Sequence, residues 1–156
     1  MGVNVIILQI LFAYIYSHFV EYFAHRFLHL FKKKKYFLSF HLRDHHVDSK
    51  KNNMIDPPSL REAFLLLLLT STHLPLLYFA PYAFLTLIAC SLSYIYVHYR
   101  AHIDLSWAEQ NVPWHVDHHL GNQQANWGVR RNWIDVLFKT KDSRRTNAKR
   151  YEQKAR

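Results

Sequence analysis

Two stretches of this chain, Val3 to Val20 and Ala63 to Tyr99, contain no lysine, arginine, aspartate or glutamate, and every charge lies between or after them. A mean hydropathy of -0.18 conceals that partition. A bilayer core takes about 20 apolar residues as helix. The first stretch therefore suffices for one pass with its flanks, and the second suffices for two if it turns midway. Ala80-Pro81 supplies the turn, because proline lacks a backbone donor and biases its predecessor away from helix. Tyr78 to Tyr82 then connects a span near Ala63–Phe79 to another near Ala83–His98. The expected fold is all-α: an integral-membrane helical bundle with about three transmembrane helices and a histidine-rich helical cap on the cytosolic face. A single domain is expected over 1–156. It divides into a first span (1–20), a first histidine-rich segment (21–62), a transmembrane hairpin (63–99) and a second histidine-rich segment with a basic tail (100–156).

With the Met1 end outside, one span followed by one hairpin leaves both charged segments on the same side. All 20 Lys and Arg fall within Arg26–Arg61 or Arg100–Arg156. This agrees with the positive-inside rule, which the span assignment did not use. A cleaved signal peptide fits the first stretch poorly, since it has no basic leader, carries Gln9 and His18, and runs straight into a histidine motif. The net charge of +9 arises largely from Lys32–Lys35 and the tail from Arg144. No nucleic-acid-binding motif accompanies these runs, so anionic headgroups are the expected partner and nucleic acid is not. The lone Cys90 rules out an internal disulfide.

Twelve histidines in 156 residues are the compositional outlier, because imidazole is costly to bury without a partner. Ten fall into four groups: His25 and His29; His41 with His45-His46; His98 and His102; His115 with His118-His119. Spacings of three and four stack side chains on one helical face. Adjacent histidines are rotated by about 100° around a helix, so a doublet can serve two ions at once. Ten neutral nitrogen ligands without thiolates suit iron, copper, zinc or nickel, and they are too many for one ion. His18 and His73 lie outside the groups and read as interfacial side chains. Ligating histidines usually donate their second N–H to an acceptor. Glu21, Asp44 and Asp117 are the main candidates for that role, with Asp48 and Asp104 behind them.

These motifs resemble the fatty acid hydroxylase superfamily of sterol desaturases and of fatty acid and sphingolipid hydroxylases. The resemblance rests on His25-Arg-Phe-Leu-His29, His41-Leu-Arg-Asp-His45-His46, His98-Tyr-Arg-Ala-His102 and His115-Val-Asp-His118-His119. It extends to Asn126-Trp127-Gly128 and to Trp133-Ile-Asp135-Val-Leu-Phe138-Lys-Thr140. It implies the ten motif histidines as ligands of two iron ions, with zinc an expected occupant of purified protein. The second cluster departs from the commoner family form, with three residues rather than two between His41 and the doublet. Pro57-Pro58 and His98-Tyr99 are similar to the fatty acid 2-hydroxylase branch, whereas the His25/His29 spacing is closer to the sterol desaturase form.

The resemblance further implies hydroxylation or desaturation of a lipid, such as a fatty acid, sphingolipid or sterol, using O2 as co-substrate. The chain carries no haem-ligand, flavin or iron–sulfur motif, so electrons are expected from a donor such as cytochrome b5 or ferredoxin. The expected location is a multi-pass membrane position, in the endoplasmic reticulum if eukaryotic or the cytoplasmic membrane if bacterial. The rival from another class is a non-enzymatic metal-binding or metal-transport membrane protein. Its spans would carry ligands along a path, and here they hold only Gln9, His18 and His73.

Overall fold

The computed structural model describes residues 2–31, 37–56 and 59–146. The run Lys32–Lys35, the pair Pro57-Pro58 and the tail after residue 146 lie outside the described residues. Every regular element among the described residues is helical.

Helix α1 (Val3–Leu28) has 26 residues, so at 1.5 Å per residue it reaches about 39 Å, more than the hydrocarbon core of a bilayer. Its outward face leaves Leu8, Phe12 and Ile15 exposed. So much uncovered apolar surface marks a face that meets a membrane or a partner. The inward face is narrower, and it changes from Ala13 and Ser17 to Glu21, Tyr22 and His25 as the chain approaches its polar end. The long helix α5 (Pro81–Ile103) has proline in its first turn, where the missing N–H costs nothing. It lies beside α1 in the same direction. The Tyr82 N–H donates to Gln9 Oε1 at 3.2 Å, and small residues Ala13 and Ala83 pack with Leu87.

Among the described residues two helices, α1 and α5, are long and apolar enough to cross a membrane. The first limb of the expected hairpin is broken. Helix α3 (Leu60–Ser71) has 12 residues and covers about 18 Å, and α4 (Leu76–Phe79) follows after a turn. The interruption has a local cause. Thr70, Ser71 and Thr72 donate their hydroxyls to the carbonyls of Leu66, Leu67 and Leu69, and Pro75 removes a backbone donor. The turn at Ala80 lies where the sequence predicts it.

The cap is made of short helices: α2 (Val47–Lys51), α6 (Leu105–Asn111), α7 (Pro113–Leu120) and α8 (Trp133–Leu137). Asp104 separates α5 from α6. Its side chain accepts from the Trp107 N–H at 3.0 Å and pairs with Arg100 at 3.2 Å. Met54, Ala101, Ala108, Val112 and Val116 form the core beneath, with Val116 presenting the histidine-bearing helix α7 to the end of α5.

Candidate metal centre

All ten motif histidines are buried. His25 and His29 end α1, His98 and His102 end α5, and His115, His118 and His119 occupy α7. The second motif is different: His41–His46 forms a π-helical turn. In an α-helix, residues three and four apart face one another. A π turn bonds i to i+5, which brings positions four and five together instead. The extra residue between His41 and His45 is thereby absorbed, and the triad takes the relation that His115 has to His118 and His119.

The rings gather into two groups. Nitrogens of His25, His29, His41 and His46 lie within 4.8 Å of one another, as do those of His45, His98, His102 and His119. His118 joins the first group, with ring centroids 4.5 Å from His25 and 4.8 Å from His46. His115 adjoins the second, 5.1 Å from His98 and 4.6 Å from His119. Each doublet is therefore divided between the groups.

Hydrogen bonds on the far side of several rings set their orientation. Nδ1 donates to the Trp127 carbonyl from His25 at 2.7 Å, to the Ala125 carbonyl from His118 at 2.6 Å and to the Met54 carbonyl from His102 at 2.9 Å. His45 Nδ1 donates to Asp56 at 2.8 Å. The opposite nitrogens of His25, His45 and His118 are buried with no hydrogen-bond partner. Such atoms are rare in folded proteins unless something else binds them. His29 Nε2 and His46 Nε2 are 3.1 Å apart, and His102 Nε2 and His115 Nε2 are 3.2 Å apart, separations that suit two ligands each about 2 Å from a shared ion. Burial, reinforced by neighbouring imidazoles, holds His41, His45, His46, His115, His118 and His119 well below the usual histidine range. They are neutral, which is the ligating form. The donor set thus fits a pair of transition-metal ions.

The carboxylates singled out from sequence do other work. Glu21 accepts from the backbone N–H groups of Val129 at 2.5 Å and Arg130 at 2.9 Å, and from Arg130 Nε at 2.6 Å. It anchors the loop that presents the Trp127 carbonyl and does not meet a histidine ring itself. Asp117 accepts from Thr146 at 2.7 Å and pairs with Arg145 at 3.5 Å. Asp44 pairs with Arg43 and Arg61, Asp48 with Lys51, and Asp104 with Arg100. Among the described residues the carboxylates beside motif histidines are Asp56 and Glu62, which sequence spacing had not picked out. His18 meets Tyr14 and Trp133 edge to face, and His73 bonds the Tyr16 hydroxyl at 3.1 Å, both away from the two groups.

The C-terminal motif acts as a clamp. Asp135 accepts from the N–H groups of Trp127 at 2.8 Å and Gly128 at 2.9 Å and from the Thr140 hydroxyl at 2.7 Å. A side chain at Gly128 would strike the Arg131 carbonyl, so only glycine allows the loop to close. The clamp fixes the carbonyls on which His25 and His118 rest.

An apolar cavity opens beside the first group. Val20 and Ala24 of α1, Leu65, Leu66 and Leu69 of α3, and Leu87 of α5 form its walls, and it reaches His25 and His41. Its enclosed volume is about 120 Å³.

No curated protein and no solved structure gives a significant match to the chain. Residues 10–140 match the fatty acid hydroxylase family. That range takes in most of α1, all of α5, all four histidine motifs and the Asp135 clamp, and the chain belongs to the fatty acid hydroxylase family.

Proposed function

We propose that this protein is a membrane oxygenase that hydroxylates or desaturates a lipid, with its ten motif histidines holding two iron ions. The observation that carries this reading is the junction of cavity and centre: leucine-lined walls between α1, α3 and α5 end on His25 and His41. An acyl chain or sterol body that enters such a cavity from the bilayer exchanges lipid contacts for leucine contacts, so packing against the walls, not loss of water, selects it. The three helices then hold it lengthwise, and one carbon lies against the first histidine group. Bound iron supplies the dioxygen activation that no side chain can provide. The chain's own contribution is orientation and exclusion of water. The Trp127 and Ala125 carbonyls keep His25 and His118 turned inward, and the Trp127 ring, packed with Tyr22 and Ile134, lies against both imidazoles.

In this reading α1 and α5 cross the membrane with the histidine groups on the cytosolic side, α3 completes the cavity wall within the bilayer, and electrons come from a separate donor such as cytochrome b5 or a ferredoxin. Mass spectrometry of lipids from a host making the wild type, His118→Ala or Leu66→Trp tests it. The wild type should yield an oxidised lipid. His118→Ala should lose product and metal together, and Leu66→Trp should lose product while retaining metal. Undiminished product from His118→Ala would refute the assignment, and metal-loaded wild type that oxidises no host lipid would favour a metal-handling role.

A further inference from the structure

Glu62 stands at the start of α3, and its two carboxylate oxygens have different surroundings. Oε2 accepts the Ser59 N–H at 2.9 Å, the bond of a capping box that starts the helix. Oε1 is buried and has no hydrogen-bond partner. It lies 3.7 Å from the Nδ1 atoms of both His41 and His45. His45 Nδ1 already donates to Asp56, whereas both nitrogens of His41 are buried and unpartnered. Two unsatisfied buried atoms of complementary type thus face one another, and the other neighbour of Oε1, His45 Nδ1, is already committed to Asp56. Capping alone would need only one oxygen and would not require the other to be buried among imidazoles.

We propose that Glu62 is the positioning residue for His41: its Oε1 takes the Nδ1–H of His41 and leaves Nε2 free for the metal of the first group. This rests on the reading of His41 as a ligand. A rotation of either side chain that shortens 3.7 Å to an ordinary hydrogen bond suffices. The consequence is a division of labour in the π turn, with Asp56 holding His45 and Glu62 holding His41, one ring for each histidine group. Glu62 also borders the apolar cavity, so the start of the cavity wall and the orientation of a ligand are fixed by one side chain.

The test is a double-mutant cycle on cobalt(II) retention by the purified full chain, with Glu62→Gln, His41→Ala, His45→Ala and the two pairs. Glutamine can still accept the Ser59 N–H, so the helix start is kept. Glu62→Gln should speed metal loss by roughly 10–100-fold with two ions still bound at saturation, as outer partners of ligating histidines do. The effect should vanish in the His41→Ala background and persist in His45→Ala. Persistence in His41→Ala, or disappearance in His45→Ala alone, overturns the proposal. Loss of one whole ion on Glu62→Gln also overturns it, by making Glu62 itself a ligand. Should His41→Ala hold too little metal to measure, the visible ligand-field bands of the cobalt protein decide: they should shift in Glu62→Gln, and unchanged bands overturn the proposal. Wild-type protein that binds no metal would instead remove the reading on which the proposal rests.

Discussion

Asp135 touches no histidine, yet two of the ten depend on it. Its carboxylate gathers the N–H groups of Trp127 and Gly128, and the same short loop turns the Trp127 and Ala125 carbonyls onto His25 and His118. Asp135→Ala leaves two buried donors unpaired, at about 1–3 kcal/mol each. It also frees the loop that orients the rings. The expected outcome is a lower thermal midpoint together with metal binding weakened by roughly 10–100-fold. Metal titration and calorimetry of the same samples check both, and a fall in stability with unchanged metal affinity would confine Asp135 to folding. Partners of this kind leave little trace in sequence. Every residue has a carbonyl, so nothing in Trp127 or Ala125 announces an acceptor, and Asp56 meets His45 only because the chain turns back through Met54. Glu21, chosen for its place one turn before His25, serves the same end indirectly, through the loop.

The π turn at His41–His46 is the element where spacing and geometry part company. Four residues from His41 to His45 read as an α-helical face, and that reading would leave His46 turned away. The π turn instead groups His41 and His46. Deleting Leu42 shortens the motif to the three-and-four spacing that α7 already uses. Such a chain should form a regular α turn and retain metal near the wild-type content, which elemental analysis measures; loss of most of the metal would show that the turn sets more than ring positions. The helices themselves were legible where one local rule governed them. Ala80-Pro81 marked the turn, and the absence of charge marked α1 and α5. The early end of α3 was not legible, because Thr70, Ser71 and Thr72 are compatible with a continuing helix until their hydroxyls turn back on the carbonyls behind them.

At the scale of the whole molecule, a dry centre of imidazoles makes stability depend on proton concentration. An unfolded chain protonates its histidines near pH 6.5, whereas burial delays protonation of His41, His45, His46, His115, His118 and His119 in the folded state. Below that pH the unfolded state binds more protons, so stability rises with pH and is lost as pH falls through 6.5 and below. Metal-free protein in detergent should therefore show a markedly lower thermal midpoint at pH 5.5 than at 7.5, and a flat profile would mean that the rings are hydrated. The clamp carries a further consequence, one of timing. Residues 125–140, which orient His25 and His118, follow every motif histidine in the chain. A ribosome that has delivered all ten motif histidines has not yet made the part that locks them, so a nascent chain is a poor competitor for cellular metal until residues 125–140 close.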